Sequence, residues 1–277
     1  MTIKEVLKKY QNIEIELLLA DVLKKPKEFL FMRPEYQLTR LQYSEVLKSV
    51  KRRGKGEPIA YILGYKDFMG LRFKVNKDAL IPRPETEWLV ERIVKSEKLK
   101  VKSGRIKILD LGTGSGCIII SLAKLLSPKR LALSTSFHAS DISKKALKVA
   151  TENARVHKVK IKFIYSNILQ NTRILFDVIV ANLPYVPRKD YRLLIKGLKY
   201  EPKGALVDPV RDFDIYKRFF EQVPSHLNPG GVILLEIDPS SRKILKEYQE
   251  KNLPKAKIKF YKDFNNLWRY MEIKLIR

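Results

Sequence analysis

Apolar residues along this 277-residue chain follow two rhythms, and the change from one to the other divides it. Over residues 2–64 the spacing is helical. Thr2 and Glu5 form a capping box, Val6, Leu7 and Tyr10 begin an apolar face, and Pro26, Pro34 and Pro58 punctuate the remainder of that stretch. Residues 68–75 and 79–81 read as a short β-hairpin, and a helix is expected over 85–94, opening after Pro84. Short apolar runs then recur near 106–111, 136–141, 160–166, 177–181 and 231–237, alternating with helical stretches. That alternation predicts an α/β domain whose parallel sheet is covered on both faces. The expected organisation is a helical domain over 1–66, a hairpin linker over 67–82 and an α/β domain over 83–277.

Candidate chemistry gathers where the strands end. Ile108-Leu109-Asp110-Leu111 runs into Gly112-Thr113-Gly114-Ser115-Gly116 and then into the apolar Cys117-Ile118-Ile119-Ile120. A strand, a glycine turn and a helix open a doubly wound domain, in which ligands sit beyond the carboxyl ends of the strands. The glycines let a ligand approach the backbone, because no Cβ intervenes. Cys117 stands where a dinucleotide fingerprint needs its third glycine, so a nucleoside with an amino-acid tail fits better than a pyrophosphate. S-adenosylmethionine is such a ligand. Asp141 ends the next strand, where an acid accepts hydrogen bonds from ribose hydroxyls. Asp141 could instead cap the following helix, but Ser143 can take that role and leave Asp141 to the ligand.

The run Asp177-Val178-Ile179-Val180-Ala181 leads into Asn182-Leu183-Pro184-Tyr185. An Asn side-chain oxygen can accept a hydrogen bond from a planar NH2 group, and a nearby backbone carbonyl can take its second hydrogen. Pro184 stiffens the loop, and Tyr185 offers a flat face for an amide or a base. The alternative is a plain turn with a packed tyrosine. The glycine turn upstream weighs against it.

Taken together, these motifs resemble class I methyltransferases that modify an amide or exocyclic amine nitrogen. The resemblance narrows with Gly56-Glu57-Pro58-Ile59-Ala60-Tyr61-Ile62-Leu63-Gly64, Phe68-Met69-Gly70-Leu71-Arg72-Phe73-Lys74-Val75 and Leu80-Ile81-Pro82-Arg83-Pro84-Glu85-Thr86-Glu87. Those blocks, with Tyr200-Glu201-Pro202 later on, are similar to the release factor glutamine methyltransferase family over about residues 15–237. The resemblance implies a Rossmann-like seven-stranded class I methyltransferase domain with a small N-terminal helical domain joined by a β-hairpin. Runs 257–262 and 269–276 then form the closing antiparallel pair. It implies methyl transfer from S-adenosylmethionine to the side-chain nitrogen of the glutamine in the Gly-Gly-Gln motif of peptide-chain release factors, with the helical domain as docking surface.

Carried over by motif, Gly112, Thr113, Gly114, Ser115 and Gly116 line the cofactor and Asp141 holds its ribose. Asn167 and Ile168 face the adenine, and Asn182, Leu183, Pro184 and Tyr185 bind the glutamine amide, through the Asn182 oxygen and the Leu183 carbonyl, with Asn182 also beside the cofactor. Three positions depart from the family pattern. Leu183 replaces a second proline, and Asn167 replaces an acid facing adenine, keeping an acceptor without its charge. Glu236-Ile237-Asp238-Pro239-Ser240 lacks the usual Gly and Gln, which leaves that stretch without an assigned role.

Composition narrows the rest. There is no run of eighteen apolar residues and no signal-peptide pattern, so a cytoplasmic protein is expected, with no membrane contact. A single cysteine, Cys117, excludes intrachain disulfides and cysteine-based zinc sites, and reads as a packing residue. His138, His157 and His226 are isolated, so no metal is expected. The net charge of +26 favours acidic partners, nucleic acid among them. The lysines are nevertheless spread along the whole chain, and the dense cluster Lys51-Arg52-Arg53-Gly54-Lys55 reads as a solvated linker. Trp88 and Trp268 read as packing residues, and a monomer is expected. The rival function is methylation of an adenine or guanine amine in RNA or DNA, which the missing base-flipping insertion disfavours. A non-catalytic cofactor-binding adaptor is a third reading, and the Asn-x-Pro-Tyr turn argues against it.

Overall fold

The computed structural model describes residues 1–11, 14–96, 106–126 and 135–276. They divide into two compact units: Met1–Tyr65 with Lys196–Tyr200, and Lys66–Ile195 with Glu201–Arg277.

The first unit holds five helices: α1 (Ile3–Lys9), α2 (Ile15–Leu23), α3 (Lys27–Met32), α4 (Arg40–Gly54) and α5 (Ile59–Leu63). The capping box at Thr2 forms as the sequence predicts. Thr2 Oγ1 accepts from the Glu5 N–H at 3.2 Å, and Glu5 Oε2 accepts from the Thr2 N–H at 2.8 Å. Thr39 and Gln42 repeat the device ahead of α4. The apolar faces meet in a core of Ile3, Val6, Leu18, Leu19, Leu30 and Val46. The cluster at Lys51 is not the linker expected from its charge. It is the last turn of α4 and the residue beyond it, where cations meet the negative end of the helix dipole. Arg52 is paired with Glu57 at 2.6 Å and Arg53 with Glu14 at 2.7 Å.

A hairpin of β1 (Tyr65–Phe68) and β2 (Leu71–Lys74) follows, all but Tyr65 in the second unit, so the strands lie earlier than residues 68–75 and 79–81 suggested. The cause is the turn. Met69 and Gly70 both have positive φ, 51° and 71°, as a two-residue hairpin loop of the favoured twist requires. Phe68 therefore ends the first strand. A single 3₁₀ turn, Pro84–Thr86, precedes α6 (Glu87–Val94), which starts two residues later than expected.

A seven-stranded sheet comes next: β3 (Ile106–Leu111), β4 (Thr135–Asp141), β5 (Lys162–Tyr165), β6 (Phe176–Asn182), β7 (Leu227–Glu236), β8 (Ala256–Lys262) and β9 (Trp268–Leu275). Its order is β5-β4-β3-β6-β7-β9-β8. All neighbours are parallel except β9, which runs antiparallel to β7 and β8. Between the strands lie α7 (Cys117–Leu126), α8 (Lys144–Val156), α9 (Arg188–Leu198), α10 (Asp214–Gln222) and α11 (Arg242–Asn252). Alternate residues of each central strand enter opposite cores. Ile108, Val178, Val180, Val232 and Leu234 pack under α6 and α7, whereas Leu109, Ile179, Ala181, Ile233 and Leu235 pack under α10 and α11. Burial of each such Val, Leu or Ile side chain contributes about 1.5–3 kcal/mol. Trp88 stacks on Tyr270 with ring centroids 4.1 Å apart, and Arg242 lies 4.1 Å over Trp268.

Candidate functional site

The strand order reverses between β3 and β6, and crevices at the carboxyl ends of such strands bind ligands. Both expected turns leave the sheet there. The glycine turn after β3 is tied to β4, since the Gly112 and Thr113 N–H groups donate to Ser140 O at 2.8 and 3.0 Å. Gly116, at φ 82°, begins α7 where only glycine fits: a Cβ would lie 2.9 Å from Ile120 Cδ1 and 3.1 Å from Ala150 Cβ. Gly114 is the opposite case. At φ 56° a Cβ there would meet nothing within 4 Å, so the bare backbone faces open space. Ser115 is buried, and its carbonyl accepts from Asn153 Nδ2 at 2.8 Å.

Asp141 sits at the end of β4 against this turn. Its Oδ2 accepts from the Gly114 N–H at 2.9 Å and its Oδ1 from the Ser143 N–H at 2.8 Å. Ser143 caps α8 by accepting from the Ala146 N–H at 3.2 Å, so Asp141 does not have to. Asp141 is less free than expected, because each oxygen already takes one backbone donor. Burial raises its carboxyl above the ordinary range, and those donors oppose the shift. Asp110, fully buried below the turn, accepts from Thr113 Oγ1 at 2.6 Å, and burial lifts its carboxyl to about 7. In the sequence Asp110 is only the acid just ahead of the glycines, and its position there assigns it no role.

Asn167 and Ile168 lie beyond β5. Ile168 is buried at φ 57°, a left-handed conformation that a β-branched residue adopts only when its surroundings impose it. Asn167 Oδ1 already accepts from Arg218 Nη1 at 3.3 Å, and Arg218 is itself paired with Asp214 at 2.9 Å. The oxygen expected to face adenine thus carries one donor and keeps one lone pair.

Asn182 ends β6, in register with Glu236 on β7, which is in register with Tyr270 on β9. Asn182 Nδ2 donates to Thr86 Oγ1 at 3.0 Å, Thr86 Oγ1 donates to Glu236 Oε2 at 2.7 Å, and Tyr185 OH donates to Glu236 Oε1 at 2.8 Å. The Tyr216 hydroxyl has one hydrogen, which serves Glu236 O at 2.8 Å in preference to Leu183 O at 3.5 Å. The Leu183 carbonyl therefore stays available as an acceptor. The Arg269 guanidinium lies 5.8 Å from the Tyr185 ring centroid. Burial raises the Tyr185 hydroxyl, and so does the adjacent Glu236. The Leu183 side chain, by contrast, is buried against Gly112.

Glu236 and Thr86 are the residues that sequence reasoning missed. Thr86 lies inside one of the blocks that carry the family resemblance. Glu236 is visible in the sequence only as a charge ending an apolar run. Cys117 is buried, its thiol pushed up to about 12 by burial, as a packing residue should be. Among the described residues no group of acidic, histidine or cysteine side chains could hold a metal, and no helix is long and apolar enough to cross a membrane.

The sheet order, with two turns meeting at its switch point, defines a class I methyltransferase. A methyltransferase domain model matches residues 102–270, and a PrmC N-terminal domain model matches residues 5–64. The fold is shared with the catalytic domain of hMettl16 in complex with a MAT2A 3′UTR hairpin, at a TM-score of 0.57 and 14% identity over 94% of this chain and 91% of that one. Release factor glutamine methyltransferase of Pasteurella multocida is 36% identical over 87% of this chain and 83% of its own length. The Coxiella burnetii protein of the same name is 42% identical over 82% and 79%. The chain belongs to the release factor glutamine methyltransferase family.

Proposed function

We propose that this enzyme methylates the side-chain amide nitrogen of the glutamine in the Gly-Gly-Gln motif of peptide-chain release factors, using S-adenosylmethionine. The relatives' shared name supports the substrate. The carrying observation is the Asn182 carboxamide, whose NH2 is engaged by Thr86 while no protein donor reaches its oxygen among the described residues.

The residues present fit the cofactor. The open backbone at Gly114 leaves room for it, and the Asp141 carboxyl at the end of β4 stands beside that turn. Gly112, Thr113, Gly114, Ser115 and Gly116 would hold it with Asp141, and Asn167 and Ile168 would border its base. When bound it supplies a methyl group activated on a sulfonium.

The protein's own task is the nucleophile. A carboxamide nitrogen is poor because its lone pair is conjugated with the carbonyl. Asn182 Oδ1 and the Leu183 carbonyl accept its two hydrogens, which pushes electron density onto nitrogen and orients it, while the Tyr185 ring supports the amide plane. Holding the reacting atoms in place removes much of the entropic barrier. Both acceptors bind more strongly as the nitrogen gains positive charge, so they stabilise the transition state more than the ground state. The surplus proton passes to water.

The helical unit serves as the docking surface, because one glutamine buries too little area for specificity. Phe31, Met32 and Leu41 are exposed on that unit and offer apolar contacts. A release-factor substrate places the enzyme in the cytoplasm, acting on protein in preference to nucleic acid. Incubation with labelled S-adenosylmethionine and either a release factor or total RNA tests the reading: label is expected in the release factor. Label in RNA alone overturns it, and label in neither points to a non-catalytic adaptor.

A further inference from the structure

We infer that Thr86 and Glu236 are positioning residues that fix which end of the Asn182 carboxamide faces the substrate nitrogen. The inference rests on the reading of Asn182 as the amide-binding group, and concerns what makes that group an acceptor.

A carboxamide is nearly symmetric in shape. Turning it by half a rotation exchanges its oxygen for its NH2 at little steric cost. The exchange is ruinous at this site, because an NH2 facing the substrate NH2 sets donor against donor. Something must hold the polarity, and the hydrogen-bond chain does so by counting hydrogens. Thr86 has one hydroxyl hydrogen, which goes to Glu236 Oε2 at 2.7 Å. Toward Asn182 the Thr86 oxygen can then only accept. The NH2 end alone satisfies it, at 3.0 Å, which leaves the Asn182 oxygen on the side of the carboxamide away from Thr86.

Glu236 is the origin of this polarity. An ionised carboxylate only accepts, and its two oxygens take the two hydroxyls of Thr86 and Tyr185. In its ionised form Glu236 thereby sets both the direction of the Asn182 amide and the seating of the tyrosine beside it. Thr86 and Glu236 are 3% and 1% exposed, so the bond between them is shielded from solvent. The sheet itself supplies the closeness, since Asn182 and Glu236 are register partners.

Protonation of Glu236 loosens the device. A carboxylic acid must donate once, so one hydroxyl has to turn, and Thr86 can then offer its hydrogen to the Asn182 oxygen. Burial raises the Glu236 carboxyl, while the Thr86 and Tyr185 hydrogen bonds and Arg269 on β9 favour its charged form and Glu85 disfavours it. Burial pushes up the hydroxyls of Tyr270 on β9 and Tyr216 on α10, and the charge of Glu236 adds to that larger cause for both. The polarity is enforced above the Glu236 pKa and is no longer enforced as pH falls through it.

The test is steady-state methylation of a release factor by full-length Thr86→Val, Thr86→Ser and Glu236→Gln proteins across pH, with cofactor affinity measured by calorimetry. Thr86→Val keeps the volume and removes the hydroxyl, and should lower kcat on the order of 10- to 100-fold, with a smaller rise in KM and unchanged cofactor affinity. Thr86→Ser should recover most of the loss. Glu236→Gln, which keeps the shape but cannot ionise, should be slow at every pH and lack the acid limb of the wild-type profile. Wild-type kcat in Thr86→Val, or equal loss in the Ser and Val variants, overturns the inference. Should Thr86→Val not fold, a Glu236→Gln profile that keeps the wild-type rate and acid limb overturns it equally. Wild-type protein that labels no release factor defeats the functional reading instead, a result visible before any variant is made.

Discussion

Gly112 and Leu183 stand in direct contact: a Cβ on the glycine would lie 3.3 Å from Leu183 Cδ2. The turn assigned to the cofactor and the turn assigned to the glutamine therefore share a wall, although 71 residues separate them in sequence. The proposed transfer needs the two turns adjacent, and they are so because β3 and β6 pair in parallel at the switch point.

On the proposed mechanism, Asn182→Ala removes an acceptor whose value grows as the nitrogen becomes cationic. Methyl transfer to a release factor should fall on the order of 10²- to 10³-fold, the range for loss of one preorganised polar group. Calorimetric affinity for S-adenosylmethionine should persist. Near-normal turnover would exclude Asn182 from the amide site.

Gly116→Ala meets two obstacles at once, a φ of 82° and an added Cβ 2.9 Å from Ile120 Cδ1 and 3.1 Å from Ala150 Cβ. The combined strain and crowding should cost about 2–4 kcal/mol. A clear drop in the thermal midpoint is expected, with weaker cofactor binding because the turn must shift. An unchanged midpoint would show that the turn tolerates a side chain there.

Asp110 makes stability depend on pH in a defined direction. Burial raises its carboxyl from the ordinary 3.8 to about 7. Between those values the folded protein holds the proton and the unfolded chain has lost it, so stability falls as pH rises and levels off above the folded pKa. Asp141 and Glu236 are shifted in the same direction. Denaturant unfolding of the ligand-free protein at pH 5 and pH 8 should show Asp110→Asn gaining on the wild type by on the order of 2–3 kcal/mol. A gain at pH 5 instead would reverse the sign of the argument.

Arg83→Ala should destabilise the second unit. Glu201 is 6% exposed, and its carboxylate is paired with Arg83 at 2.5 Å and accepts from the Ile81 N–H at 3.2 Å. Removing the arginine leaves a buried charge without its cation, at a cost of about 3 kcal/mol. The urea midpoint should fall accordingly, and Arg83→Ala with Glu201→Gln should recover part of the loss. A midpoint unmoved by Arg83→Ala would show the pair to be inert.

Much of this protein is local, and what is local is legible in the chain. The period-two alternation that sends Ile108 and Leu109 to opposite cores, the capping box at Thr2 and the strand-to-glycine turn all depend on residues within one element of each other. Expectation and structure part where a neighbour in space, or a single backbone angle, decides the outcome. Met69 adopts a positive φ that its side chain disfavours, and so moves the hairpin. The basic run at Lys51 ends a helix because the α4 core and the acids Glu14 and Glu57 hold it there.

The sequence by itself determined the strand and helix order, the two turns and the residue types that can grip an amide, because periodicity and side-chain chemistry are written along the chain. Only the tertiary structure decided that Glu236 reaches Thr86 and Tyr185, 150 and 51 residues away, since strand register is a property of the assembled sheet. The assembled sheet also set the Asn182 NH2 against Thr86. A sequence lists donors and acceptors, but where each hydrogen goes is settled once the strands lie side by side.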